Sequence, residues 1–211
     1  MRFFCATIIG LFSVFANPVF SAGTLEVGKT TYATCAACHG VNAEGNQALN
    51  APRLTHLSTV YIVAQLQKFK AGTRGGPESS ASARQMAPMA ATLADDQAVI
   101  DVATYIASME APAAVHTLEG GDPAVGADYY NQFCGACHGA TAQGNNALNS
   151  PRLRGADDWY LLSQLQAFRA GSRGTHPDDR TGKQMRAMAG LLPDDTIVKD
   201  VVFFISRTAA P

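Results

Sequence analysis

The sequence predicts an all-α protein built from two similar helical domains in tandem. Apolar residues recur with helical spacing in several segments, and no segment shows the convincing apolar and polar alternation of a β-strand. In addition, one stretch of the chain returns with a fixed offset of 99 residues, from Cys35 to Cys134. We therefore expect one small fold to occur twice within the 211 residues.

The repeat extends far beyond the two cysteines. It continues to the C-terminal helix of each unit, which two chance motifs would not do. The matching segments include Gly45-Asn46 with Gly144-Asn145, Pro52–Leu54 with Pro151–Leu153, Gln65–Gln67 with Gln164–Gln166, Arg74-Gly75 with Arg173-Gly174, and Gln85-Met86 with Gln184-Met185.

The repeat also defines the predicted domains. Residues 111–121 lie in a stretch with Ala/Pro-rich and Gly-rich ends and without amphipathic periodicity, as is typical of a linker. The first domain then spans residues 23–110 and the second residues 122–211.

Residues 1–22 predict a secretory signal peptide. Arg2 precedes an apolar run from Phe3 to Phe15, and small residues follow near Ala22. The alternative is an uncleaved membrane anchor, but the run is shorter than the ~20 residues that a span needs, and Asn17-Pro18 interrupt the segment. We expect export to the periplasm.

The overall charge is close to neutral. The chain has 16 Lys and Arg against 17 Asp and Glu, with a net charge of -1, and no basic run is interleaved with aromatic residues. This composition argues against a nucleic-acid-binding protein. No segment after the signal peptide is long and apolar enough to span a membrane.

Three helices are predicted in each unit. The terminal helix starts at an acidic pair that suits a helix N-terminus, Asp95-Asp96 or Asp194-Asp195. Another runs from about Val60 to Lys70, and its counterpart from about Trp159 to Arg169. Glycines then stop these helices, at Gly72 and Gly171. A third helix precedes each pair of cysteines.

The string Cys-x-x-Cys-His carries the predicted chemistry. Its thiols at i and i+3 and its imidazole at i+4 share one face of a helical turn, so two thioether bonds and one iron ligand can meet a single porphyrin. Two copies behind a signal peptide predict two covalently attached haem c groups. The residues concerned are Cys35, Cys38 and His39 in the first unit and Cys134, Cys137 and His138 in the second.

Other uses of the cysteines explain less of the sequence. A redox Cys-x-x-Cys motif would need a βαβ pattern, and a zinc site would not explain the duplicated histidines. Of the five cysteines, Cys5 lies in the signal peptide and the other four belong to the two strings, so none is left over for pairing. Units of roughly 90 residues rich in Ala and Gly also have little apolar surface to bury. A haem would fill such a core.

With these motifs, the chain resembles the class I c-type cytochromes, and its paired arrangement resembles the dihaem cytochrome c4 group. The resemblance covers the whole mature chain and implies two tandem cytochrome c domains, each a small helical fold around one covalently bound haem. It also implies a downstream methionine as the second axial ligand of each iron. The matching residues are Met86 and Met185, each 47 residues after its histidine.

Met89 and Met188 keep the same register, so spacing alone leaves them open as alternative ligands. A thioether paired with an imidazole favours ferrous iron, raises the potential and leaves no open site for a substrate. The remaining histidines have no counterpart in the other repeat, so we expect surface or linker positions for them. These are His56, His116 and His176.

The resemblance also implies residues that support the haem. The backbone carbonyls of Pro52 and Pro151 are expected to accept the ring N–H of His39 and His138. Candidates for haem propionate contacts, with ordinary surface or packing roles as the alternative, are Arg53, Arg152, Tyr61, Trp159 and Tyr160.

The first unit departs from the family pattern at one place. In the second unit, Gly126, Tyr130 and Cys134 keep the family spacing, whereas Tyr32 is one residue closer to Cys35. We therefore expect the opening helix of the first unit to pack differently.

The predicted function is that of a dihaem c-type cytochrome, a periplasmic electron carrier that shuttles single electrons between respiratory donors and an acceptor such as a terminal oxidase. Its partners would be redox proteins, and it would not itself be an enzyme. A dihaem peroxidase would need an open iron beside an acid/base group, and no such constellation is visible. A subunit that takes electrons from a dehydrogenase, such as one for alcohols or thiosulfate, stays open as an alternative. We also expect the two domains to face each other across a shared interface.

Overall fold

The computed structural model describes residues 22–110 and 112–208. Within these residues the secondary structure is helical, without β-strands apart from two isolated bridges. This confirms the all-α prediction. The predicted signal peptide, residues 1–22 with Cys5, lies outside the described residues except for Ala22.

The helices of the two domains correspond, except that the opening helix is divided in two in the second domain. The helices of the first domain are α1 (Leu25–His39), α2 (Thr59–Lys70), α3 (Ala81–Ala91) and α4 (Asp96–Ser108). Those of the second domain are α5 (Pro123–Phe133), α6 (Gly135–His138), α7 (Asp158–Ala170), α8 (Arg180–Ala189) and α9 (Asp195–Arg207). Short 3-10 turns follow each cysteine string, at Gln47–Leu49 and Asn146–Leu148.

The terminal helices α4 and α9 form the centre of each core. The carboxylate of Asp95 accepts a hydrogen bond from the backbone N–H of Ala98 at 2.8 Å, and Asp194 caps α9 in the same way at 2.9 Å. One apolar face of each helix is almost fully buried because it packs against the preceding helices of its own domain. These faces consist of Val99, Val102, Ala103 and Ile106, and of Val198, Val201, Val202 and Ile205.

The opening helix of each domain crosses the terminal helix at a glycine. A Cβ atom on Gly28 would lie 2.2 Å from the carbonyl oxygen of Asp101, and one on Gly126 would lie 2.0 Å from that of Asp200. Any side chain at these positions would push the helices apart, so both crossings require glycine.

The two opening helices differ in continuity. Helix α1 runs unbroken through Cys35, whereas α5 ends at Phe133 and α6 begins at Gly135, with Cys134 between them. This break accommodates the additional residue between tyrosine and cysteine in the second domain. It lets Tyr32 and Tyr130 make the same contact, since each hydroxyl donates to a glycine carbonyl, at 2.7 Å and 2.6 Å respectively.

One helix in each domain was not predicted from the sequence. Helices α3 and α8 lie between the predicted second helix and the terminal helix. Helix α3 is rich in alanine and contains Pro88 in its interior. Because proline lacks the N–H of a regular helix, that segment gave no clear helical signal.

The domains meet through a pair of arginines that the repeat relates to each other. Nη2 of Arg74 donates to the hydroxyl of Tyr160 at 3.0 Å, and Nη2 of Arg173 donates to the hydroxyl of Tyr61 at 3.3 Å. Each guanidinium also lies 4.5 Å from the ring centroid of a phenylalanine in its own domain. The interface is therefore approximately two-fold symmetric.

Some contacts across the interface have no counterpart related by the repeat. Nζ of Lys68 lies 2.5 Å from the carboxylate of Asp179 and 2.5 Å from the hydroxyl of Thr181. The backbone N–H of Arg53 donates to the carboxylate of Asp157 at 2.9 Å. Because these contacts lack counterparts, the two halves of the interface are not identical.

Candidate functional site

A cavity of about 940 Å³ extends through both domains and across their interface. Its lining contains most of the residues that the sequence predicted for the haem sites. From the first domain these are Cys35, Cys38, His39 and Met86, and from the second Cys134, His138 and Met185. Cys137 is exposed and is not among the residues that line the cavity.

Both imidazoles are buried and oriented by the backbone. Nδ1 of His39 lies 2.8 Å from the carbonyl oxygen of Pro52, and Nδ1 of His138 lies 2.9 Å from that of Pro151. If Nδ1 carries the proton, it donates to the carbonyl and leaves Nε2 available to bind a metal. Burial lowers the pKa of both histidines, although the proline carbonyls partly oppose the shift. A neutral imidazole is the form that ligates iron.

The thiols of each string differ in their exposure. Cys35 and Cys134 are partly buried, while Cys38 and Cys137 are exposed, and all four are free. Burial raises the pKa of Cys35, and burial together with Cys137 raises the pKa of Cys134 to about 11. Among the described residues, no group of three or more His, Cys, Asp or Glu is placed to hold a metal ion directly.

The methionines divide into two pairs by position. Met86 on α3 and Met185 on α8 both line the cavity. Met89 also lines it but is 41% exposed, and Met188 is not part of the lining. Met86 and Met185 are therefore the methionine pair that reaches the cavity in both domains.

The cavity lining contains buried side-chain nitrogens that fit the carboxylates of a haem. Among the described residues, Nε of Arg74, Nε of Arg152 and Nδ1 of His56 have no hydrogen-bond partner and belong to residues of the lining. Unpaired buried donors are costly, and guanidinium groups match carboxylate geometry well. Nε of Arg53 and Nε of Arg154 also have no partner, but these residues lie outside the lining.

The candidates for propionate contacts do not all reach the cavity. Arg152, Tyr61 and Tyr160 line it, whereas Arg53 and Trp159 are not in the lining. The side chain of Arg53 is instead held at the domain boundary, where it donates to the carbonyl of Pro112 and, at 3.2 Å, to the hydroxyl of Thr55.

The three remaining histidines occupy different environments. The expectation of a surface or linker position was wrong for His56, because its Nδ1 is buried at the domain boundary. Its burial, together with the positive charges of Arg53 and Arg152, lowers its pKa to about 3. His176 has a side chain that is 39% exposed, and His116 lies in the linker with its Nδ1 3.8 Å from a carboxylate oxygen.

Comparisons with known proteins show the family of the chain. The sequence profile of cytochrome c matches residues 25–110 and 123–209. Cytochrome c4 of Azotobacter vinelandii is 32% identical over 192 residues, covering 84% of this chain and 86% of that protein. A thiosulfate dehydrogenase electron acceptor of Stutzerimonas stutzeri is 36% identical over 165 residues, covering 74% of this chain and 72% of that protein. The crystal structure of reduced recombinant cytochrome c4 from Pseudomonas stutzeri has a TM-score of 0.68 and 27% identity, and covers 89% of this chain and 100% of that one.

The fold and the duplicated attachment strings define a c-type cytochrome with two haems, and the chain belongs to the cytochrome c family. Within that family, it is a dihaem electron carrier of the cytochrome c4-like group, with two covalently bound haem c groups. No helix in the described part of the chain is both long and apolar enough to cross a membrane.

Proposed function

We propose that this protein carries single electrons in the periplasm between respiratory donors and an acceptor such as a terminal oxidase, and that it catalyses no substrate reaction itself. The supporting observation is that each domain places one oriented imidazole and one methionine in the lining of the shared cavity. His39 with Met86 would then bind the iron of one haem, and His138 with Met185 the iron of the other. Neither iron would keep an open position for a substrate.

The remaining attachment residues have distinct roles in this proposal. Cys35 and Cys38 hold one haem, and Cys134 and Cys137 hold the other. Bound haem supplies the one-electron chemistry, and the protein supplies burial, orientation and the ligands. The carbonyls of Pro52 and Pro151 orient the histidine rings, which would leave Nε2 of each ring available to the iron.

Redox partners would approach an apolar rim of the first domain. Leu49 and Met89 both line the cavity, yet they are 49% and 41% exposed. They therefore connect the cavity to the surface. Since the chain carries a net charge of only -1, weak apolar contact rather than long-range charge attraction would hold a transient partner there.

A second candidate function is that of an electron acceptor for a dehydrogenase. It is favoured by the relative from Stutzerimonas stutzeri, whose name states that it is the electron acceptor of thiosulfate dehydrogenase. In this role the same two haems would take electrons from one dedicated enzyme. Both candidates require coordinatively filled irons.

The test uses the purified haem-loaded protein. The oxidised protein is mixed with thiosulfate and thiosulfate dehydrogenase, and the reduced protein is mixed with membranes that contain a terminal oxidase. Oxidation by the membranes with oxygen uptake supports the respiratory carrier, and fast reduction that requires the dehydrogenase supports the second candidate. Ready carbon monoxide binding by the reduced protein, or turnover of peroxide, would instead reveal an open iron and contradict both.

A further inference from the structure

His56 lies at the boundary between the two domains. The repeat places Gly155 at the equivalent position of the second domain. In the structure these two residues face each other, since a Cβ atom built on Gly155 would lie 3.6 Å from Cβ of His56. One side of the boundary therefore presents an imidazole, and the other presents bare backbone.

The surroundings of His56 are positively charged. Arg53 and Arg152 both act on its ring electrostatically, and the carboxylate of Asp157 pairs with Arg53 at a distance of 4.0 Å from Nε. Nδ1 of His56 and Nε of Arg152 are buried without a hydrogen-bond partner among the described residues. Two buried donors, one of them a permanent cation, form a site that suits a carboxylate.

The position of this site identifies the carboxylate. His56 and Arg152 line the same cavity as the candidate iron ligands His39 and His138. A haem carries two propionate carboxylates, and a group attached to the cofactor reaches this buried position without bringing a separate ion out of water. A dissolved anion would pay the full cost of desolvation.

We propose that His56 and Arg152 bind a haem propionate at the domain boundary, and that His56 thereby makes the two haem potentials unequal. This inference rests on the two haem sites of the proposed function. A hydrogen bond from Nδ1 withdraws negative charge from the propionate, which favours ferrous over ferric iron. The donor is present on one side of the boundary and Gly155 stands on the other, so the effect on the two haems differs.

The experiment compares the variants His56→Leu and His56→Gln in the haem-loaded protein. Leucine fills similar space without a donor, whereas glutamine keeps an N–H. Redox titration, followed by the optical spectrum, gives the potentials of both haems. We expect His56→Leu to lower one haem potential more than the other, shifting the ferric/ferrous equilibrium of that haem by up to about tenfold, or ~59 mV for one electron, and His56→Gln to recover most of the wild-type value.

Three outcomes would overturn the proposal. The ring would only fill space if His56→Leu left both haem potentials unchanged. The same would follow if His56→Leu and His56→Gln shifted the potentials by equal amounts. Wild-type potentials that depend on phosphate concentration, with the dependence lost in His56→Leu, would identify a dissolved anion as the ligand. His176→Leu is the matched control, because it removes an exposed histidine of the second domain and should change neither potential.

The haem content of the wild-type protein separates this inference from the proposed function. The wild-type protein should contain two haem c groups per chain and show a methionine-to-iron band. If it does, and the His56 variants keep the wild-type potentials, only the propionate site is contradicted. Fewer haems, or no such band, would contradict the proposed ligation itself. Circular dichroism of each variant establishes that it is folded before its potentials are compared.

Discussion

Nη2 of Arg74 in the first domain donates a hydrogen bond to the hydroxyl of Tyr160 in the second, at 3.0 Å. The same guanidinium donates through Nη1 to Oε1 of Gln65 in its own domain, at 2.7 Å. Arg74 is only 9% exposed, so its hydrogen bonds replace contacts with water. This arginine therefore holds the domain interface together through a group that is always charged.

Arg74→Ala is expected to lower the free energy of unfolding by roughly 1–3 kcal/mol, because the hydroxyl of Tyr160 loses a buried partner. Denaturant titration of the haem-loaded protein measures the loss. In a double-mutant cycle, the cost of Arg74→Ala with Tyr160→Phe should fall short of the sum of the single costs. Arg84→Ala, at an exposed position on α3, is the control. Additive costs at Arg74 and Tyr160 would show that the hydrogen bond does not couple the domains.

The contact between Lys68 and Asp179 combines two effects that variants can separate. The carboxylate of Asp179 binds Lys68 and also caps α8 by accepting from the N–H of Gly182 at 2.9 Å. The first domain uses Ser80 for the equivalent cap. We expect Asp179→Ser to lose the ion pair and keep the cap, and Asp179→Ala to lose both and be about 1 kcal/mol less stable than the serine variant. Thermal unfolding compares them, and equal stability would mean that the cap contributes nothing.

The choice between the methionine pairs is tested directly by substitution. Met86→Ala and Met185→Ala should each abolish about half of the methionine-to-ferric-iron absorption band, because each domain contributes one such bond. Each variant should also bind carbon monoxide when reduced, with a lowered potential for one haem. Met89→Ala and Met188→Ala serve as matched controls and should keep the full band. Loss of the band in the control variants instead would assign the ligands to the other pair.

Tyr32 and Tyr130 are expected to make stability fall at alkaline pH. Burial raises the pKa of both hydroxyls above the ordinary value. A raised pKa in the folded state means that stability is complete below the unfolded pKa of ~10 and is lost as the pH rises above it. The slope is about 1.4 kcal/mol per pH unit for each tyrosine.

The variants Tyr32→Phe and Tyr130→Phe isolate this effect. Each should be less stable than the wild type near neutral pH, by about 1–2 kcal/mol, because a glycine carbonyl loses its donor. The difference from the wild type should shrink above pH ~10. Denaturant titrations at a series of pH values measure it. A difference that stays constant up to pH ~11 would show that the folded hydroxyls titrate normally.

The sequence predicted the helices whose signals are local. The caps at Asp95 and Asp194 and the apolar faces that follow them depend only on neighbouring residues. Helices α3 and α8 were missed although they carry the candidate ligands Met86 and Met185. Both helices are short, with 11 and 10 residues, and Pro88 interrupts the helical signal of α3.

The arrangement of the two domains could not be predicted from the sequence, for a different reason. The repeat showed that Arg74 and Arg173 are equivalent, but not that each reaches across to a tyrosine of the other domain. Helical periodicity is set within a segment, whereas this contact depends on how two complete domains are oriented. For the same reason His56, which has no counterpart in the repeat, was expected at the surface and lies at the boundary instead.

The pairing of Arg74 with Tyr160 and of Arg173 with Tyr61 has the form of an isologous contact, as two identical subunits would make around a two-fold axis. In a homodimer, every substitution appears on both sides of that axis, so a histidine at the position of His56 would face a second histidine in place of Gly155. Joining the two copies in one chain removes this constraint. Covalent linkage is thus what allows the two halves of a symmetric assembly to diverge, one residue at a time, into electron-transfer sites with different properties.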